Sequence, residues 1–202
     1  MTMKRYAIGI DLGGTSVKYA VVASSGEVLF NGQLPAFAQD GPEAVLEQLL
    51  SGITACREYA AGEGLELAGI GIGTPGVVSA DGRTVLGGAE NIAGWENIPL
   101  ADRVEAAAVL PVVASNDANV MALGETLFGA AKGLPTWSSS PSGPASAADC
   151  LSTAASTGAT ATAAWRWGTS PSGATARRVP AAAWGVWNTT LRHRRSCGVS
   201  VR

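Results

Sequence analysis

Several things are scarce in this sequence, and each scarcity closes a class of explanation. There are three cysteines, Cys56, Cys150 and Cys197, odd in number and widely spaced, so neither a disulfide framework nor a zinc-ligand cluster is suggested. No apolar run approaches the ~20 residues of a membrane-spanning helix. Lys4 and Arg5 lead straight into a strand pattern and not into an apolar leader with a cleavage site, so a soluble, cytoplasmic protein is expected. The formal net charge is only −2, which points to no nucleic acid or other polyanionic partner. The most informative absence is local. Residues 135–202 contain no lysine and no glutamate, and set one acid, Asp149, against seven arginines, a net of +6. Residues 1–134 hold 15 of the 16 acids and 7 of the 14 bases, a net of −8, yet only one of the six tryptophans. These two stretches do not read like one selected sequence.

What is present is concentrated near the start. Residues 7–10 are a short apolar run suited to a buried strand. Asp11, Gly13, Gly14, Thr15 and Lys18 follow as Asp-x-Gly-Gly-Thr-x-x-Lys, and residues 17–22 resume an apolar run. The unit reads as strand, glycine turn, strand. Two glycines allow a tight turn and a close approach to whatever lies in the bend. The chemistry suits a phosphate site: the glycine amides would face phosphate oxygens, Thr15 could donate to one, and Asp11 could hold magnesium directly or through water. A plain hairpin turn is the competing account of the glycine pair alone.

Along the chain, strands are expected over 5–11, 16–23 and 27–34 as an antiparallel meander, with Ser24-Ser25-Gly26 making the second turn. Pro42 opens a helix over 42–59, in which Val45, Leu46, Leu49, Leu50 and Ile53 keep a 3.6-residue apolar face. A buried strand over 67–73 delivers Thr74-Pro75-Gly76 at its carboxyl end. A short helix over 99–107, a strand over 111–114 ending at Ser115-Asn116-Asp117, and a helix over 118–131 complete the pattern. The fold class is therefore α/β, and loops at strand carboxyl ends are where such sheets bind ligands.

The Asp-x-Gly-Gly-Thr string resembles the first phosphate loop of the sugar kinase, heat-shock ATPase and actin superfamily, whose ribonuclease H-like amino-terminal domain carries a mixed sheet. Three further stretches narrow this: residues 71–78 (Gly-Ile-Gly-Thr-Pro-Gly-Val-Val), residues 90–95 (Glu-Asn-Ile-Ala-Gly-Trp) and residues 115–119 (Ser-Asn-Asp-Ala-Asn). Their order resembles the ROK family, which contains sugar kinases, bacterial glucokinases among them, and sugar-responsive repressors. The resemblance covers about residues 4–134. It implies ATP and Mg²⁺ as cofactors, a hexose as substrate, and a homodimer for the intact protein. It also implies that Asp117 accepts the proton of the sugar hydroxyl that attacks the γ-phosphate, work that a carboxylate suits. Asp117 would alternatively cap the helix that begins at Ala118. Asn116 would hydrogen-bond sugar hydroxyls or simply occupy a turn. Gly76 would lay its backbone against the sugar, or belong to an ordinary Thr-Pro-Gly turn. Asn91 would reach the sugar or stand as a solvated loop residue. Trp95 reads as a packing anchor and Cys56 as a small core residue.

After Leu134 the periodicity dissolves. Residues 135–164 are mostly Ser, Ala, Thr, Gly and Pro, and 135–202 reads as a low-complexity tail without a fold, the second kinase domain being missing. Basic clusters around Trp184 and Trp187 would otherwise suggest a nucleic-acid-binding tail. Read from the third base of each codon, however, residues 140–150 permit Thr-Leu-Gly-Thr-Gly-Ile-Gly-Gly-Gly-Leu, similar to the second glycine-rich phosphate loop of the family. Residues 165–169 permit Glu-x-Gly-His, similar to its sugar- and metal-contacting motif. Residues 178–188 permit Cys-Pro-Cys-Gly-Arg-Leu-Gly-Cys-Leu-Glu, similar to its zinc-binding loop. Three matches in family order point to a frameshift near Pro135, with Zn²⁺ expected only in a frame-restored protein. His193, the sole histidine, does not fall at the family's metal-ligand position. The expected function is phosphorylation of a hexose by the parent gene, with the chain as written inactive. The alternative is a ROK-type repressor lacking its DNA-binding domain. Only seven residues precede Ile8, too few for the helix-turn-helix that repressors place there.

Overall fold

The computed structural model describes residues 5–129 and, beyond them, the backbone of three short strands. The chain begins as the expected meander: β1 (Tyr6–Leu12), β2 (Ser16–Ala23) and β3 (Val28–Pro35), antiparallel throughout. Gly26, at φ 98°, closes the second turn, its amide donating to the Ala23 carbonyl at 2.9 Å. Then follow α1 (Pro42–Gly62), β4 (Leu67–Thr74), the small strands β5 (Val77–Val78) and β6 (Val85–Gly87), α2 (Leu100–Ala108), β7 (Val112–Asn116) and α3 (Asp117–Leu127). Strands β4 and β7 join β1 in parallel, so the sheet runs β3-β2-β1-β4-β7 and is mixed.

The sheet has two chemically different faces, set by the period-2 alternation of its strands. Ile8, Ile10 and Leu12 point one way with Val17, Val21, Ile70, Ile72, Val112 and Ala114, and all are essentially buried in one core. Helix α1 covers this face with Val45, Leu49, Ile53 and Cys56, and α2 with Leu100 and Val104. Burial pushes the Cys56 thiol up to about 12, so it stays neutral and fills space. The other face presents Ala7, Gly9 and Asp11 of β1, and α3 packs there through Val120. Glycines at 71 and 73 of β4 keep that face shallow, which lets α3 lie close.

Helix α3 differs from expectation at both ends. It begins at Asp117 and not at Ala118, and its N-cap is Asn116, whose Oδ1 accepts from the amides of Ala118 (3.0 Å) and Asn119 (3.4 Å). Asp117 is therefore inside the first turn and is not the cap. The helix stops at Leu127, short of 131. The β5–β6 hairpin was not expected, because two- and three-residue strands carry no usable period. The reading of 135–202 as an unfolded tail falls mostly on residues outside those described. Within it β8 (Thr136–Ser139) pairs with β9 (Cys150–Thr153) and β10 (Val199–Ser200).

Candidate functional site at the carboxyl edge of the sheet

Strands β1, β4 and β7 are parallel, so their carboxyl ends share one edge of the sheet. Three of the sequence-read segments leave from that edge: the glycine turn after β1, Pro75-Gly76 after β4, and Asn116-Asp117 after β7. The register places Lys18, Asp11, Gly73 and Ser115 in one row across four strands, on the face that α3 covers. A methyl on Gly73 would sit 3.6 Å from the Asp117 Cα and 3.7 Å from the Ile10 carbonyl oxygen. Gly73 is thus the shallow floor between the strand end bearing Asp11 and the helix start bearing Asp117.

Asp11 and Lys18 are cross-strand partners with their charged atoms 3.4 Å apart, and their side chains are 13% and 30% exposed. The pairing gives the largely buried Asp11 carboxylate a counter-charge at the edge. Magnesium prefers one or two carboxylates, retained waters and substrate phosphate oxygens to an all-protein cage. Asp11 fits that habit, and among the described residues no cluster of three or more His, Cys, Asp or Glu offers a cage. The cysteine loop read for zinc lies at 178–188, outside the described residues.

Of the two glycine amides expected to face phosphate, that of Gly13 closes the turn by donating to the Ser16 carbonyl at 2.9 Å. Gly14 and the exposed Thr15 follow at the open tip of the turn. Asn116 has both ends of its amide engaged: Oδ1 caps α3, and Nδ2 donates to the Gly76 carbonyl at 2.9 Å. That bond ties the β7 exit to the β4 exit. Asp117 is half-buried, and its Oδ1 accepts from the Ala118 amide at 2.8 Å. Gly76, at φ 90°, is in the left-handed region that favours glycine. Asn91 is exposed but rests against Gly14, from which it is far removed in sequence. The three loops and Asn91 are therefore brought together.

Two further residues meet behind this edge, a pairing that the sequence did not reveal. Thr74 is fully buried, and Trp95 is 2% exposed with its indole N–H donating to the Thr74 hydroxyl at 2.9 Å. Trp95 is thus a packing anchor, as read, but a hydrogen-bonded one. Trp95→Phe keeps an aromatic side chain and leaves a buried hydroxyl short of its donor, so a loss of about 1–3 kcal/mol is expected. Urea unfolding of Trp95→Phe, Thr74→Val and the double variant tests this. If the single losses simply add, the bond carries no coupling and the expectation fails. Ser115, 7% exposed, is the other buried polar side chain at this edge.

Among the described residues no helix is long and apolar enough to cross a membrane. Comparison with known proteins agrees with the geometry. The ROK family model matches residues 7–137. A glucokinase of Halalkalibacterium halodurans is 36% identical over 136 residues, which is 64% of this chain and 38% of that protein. A xylose repressor of Caldicellulosiruptor bescii is 36% identical over 122 residues, 60% of this chain and 30% of the repressor. The crystal structure of a ROK family glucokinase from Streptomyces griseus in complex with glucose and AMPPNP superposes with a TM-score of 0.58 and 34% identity. That superposition covers 65% of this chain and 39% of the glucokinase. The chain thus spans under two-fifths of the length of these relatives. Its mixed sheet is that of the sugar kinase and actin-like folds, and with the family model matching well over half of its residues, the chain belongs to the ROK family.

Proposed function

We propose that the parent gene encodes an ATP-dependent sugar kinase that phosphorylates a hexose hydroxyl, glucose being the first candidate, and that residues 1–134 supply its amino-terminal domain. The observation that carries this reading is the convergence at one sheet edge of the Asp11–Thr15 turn, the Gly76 exit and Asp117. Phosphoryl transfer asks a protein mainly for positioning and charge neutralisation, with a base at the attacking hydroxyl. Asp117 is the carboxylate that takes the hydroxyl proton. Asn116 holds the β4 and β7 exits in register and keeps Gly76 in place against the sugar. Gly14 and Thr15 meet the phosphates, and Lys18 keeps the Asp11 carboxylate oriented. Magnesium, when bound with the nucleotide at Asp11, neutralises phosphate charge. The similarity to a glucokinase whose structure holds glucose and AMPPNP supports the substrate pair.

Residues 1–134 are proposed to supply one side of that site, so the 202-residue chain is proposed to bind ATP weakly and to have no turnover. Residues beyond about 134 are proposed to be translated out of frame, which is supported by the family match ending at residue 137, where the periodicity fails. Sequencing the gene across codons 130–145 tests the frame. The frame-restored protein, proposed to be a homodimer with a zinc-binding cysteine loop, is expected to consume ATP on addition of a hexose, whereas the 202-residue chain is not. Robust turnover by the chain as written would sink both the half-site argument and the frame argument. The identity to a xylose repressor favours a second reading, a sugar-responsive repressor. It is separated by the same assay, since such a protein binds sugar without consuming ATP.

A further inference from the structure

Gly14 does not owe its presence to backbone conformation. Neither it nor Gly13 adopts a positive φ, so an alanine could follow the same path. What the glycine provides is room. A methyl at Gly14 would lie 2.7 Å from the Asn91 amide nitrogen and 3.2 Å from its Cβ, closer than such atoms pack. Asn91 is therefore in direct contact with the tip of the first loop.

Asn91 is held there by its neighbours in the chain. Ile92 beside it is 2% exposed, and Ala93 donates its amide to the Ala38 carbonyl at 2.9 Å. Trp95 is locked by its indole bond to Thr74, at the end of β4. An exposed polar side chain flanked by buried residues, here Ala89 at 8% and Ile92 at 2% exposure, has its position set by the core, at little entropic cost to itself. Asn91 thus rests on a rigid mount and presses on a turn fixed at its other side by the Gly13–Ser16 and Ala36–Thr15 bonds, 2.9 and 3.1 Å.

We propose that Asn91 is a positioning residue that clasps the first loop, holding Gly14 and Thr15 in the arrangement that meets phosphate. The clasp itself needs only the contacts above; the word phosphate rests on the kinase reading. Sugar contact by the same side chain is the rival assignment, and the two make different predictions.

Residue-resolved hydrogen exchange on the full 202-residue chain reads the clasp directly. The reporters are the amides of Gly13 and Ala36, whose acceptors are the carbonyls of Ser16 and Thr15. Asn91→Ala is expected to speed both about tenfold and to leave the Ile10 and Ile72 amides of the central strands unchanged. Gly14→Ala, which displaces Asn91, is expected to do the same, and the double variant no more than either single one. Unchanged Gly13 and Ala36 exchange in both single variants, or effects that simply add, overturn the clasp. In the frame-restored protein, Asn91→Ala is expected to raise the KM for ATP about tenfold at unchanged Tm and hexose KM. A rise confined to the hexose KM overturns the assignment in favour of sugar contact. Failure of the kinase reading would show as absent turnover in the frame-restored wild type and would leave the exchange result standing.

Discussion

Asp117→Asn in the frame-restored protein is expected to lower kcat by about 10²–10⁴-fold, the usual contribution of a positioned general base. The structure makes this substitution more diagnostic than the sequence alone suggested. Capping of α3 belongs to Asn116, so replacing Asp117 removes no cap. The bond Asp117 does make, accepting from the Ala118 amide at 2.8 Å, is one that an asparagine oxygen can keep. Loss of a negative charge in the first turn of a helix costs only about 0.3–1 kcal/mol. Stability should therefore change little, and hexose KM should hold, because an amide still hydrogen-bonds a hydroxyl. A fall in kcat with KM unchanged marks an interaction made in the transition state. Steady-state kinetics with a coupled ADP assay, beside a urea titration, separates the two quantities. Retention of more than about half the wild-type kcat would mean that the proton goes elsewhere, given what a general base ordinarily contributes.

Gly76→Ala should produce the largest loss of stability, about 3 kcal/mol or more, from two causes that add at one atom. At φ 90° an L-residue is strained, by roughly 1–2 kcal/mol. The new methyl would also lie 2.5 Å from the Gly87 carbonyl oxygen, which is backbone and cannot step aside without moving the β5–β6 hairpin. Any such shift carries away the Gly76 carbonyl that accepts from Asn116, loosening the start of α3. Gly41→Ala is the internal control: its φ is 94°, but a methyl there meets nothing within 4 Å. It should lose only the conformational part. If urea titrations gave the two variants equal losses, the contact with Gly87 would carry no weight and the joined β4 and β7 exits would need another explanation.

The amino-acid sequence alone determined the elements and their order wherever the period was long enough to read. The meander was legible because apolar alternation broke only at Gly13-Gly14 and Gly26. Helix α1 was legible because Pro42 and the apolar stripe from Val45 to Ile53 agree, although the helix runs on to Gly62. Parallel strands β4 and β7 were legible as apolar runs because both their faces are covered, and polar residues enter them only at their carboxyl ends. The residues that gather at the carboxyl edge were legible as motifs, since their types suit phosphate and hydroxyl chemistry in that spacing. What tertiary structure alone decided are the partnerships between them. That Asn116 clamps Gly76 as well as capping α3, and that Trp95 donates to Thr74, depend on pairs brought together by sheet register. The space at Gly14 is the clearest case. Nothing local distinguishes a glycine kept for turning from one kept to admit a neighbour, and the neighbour, Asn91, arrives only when β4 pairs with β1 and the loop after β6 is pinned to the core. Local pattern encodes period and turn, whereas contacts across such separations exist only once the whole sheet has closed.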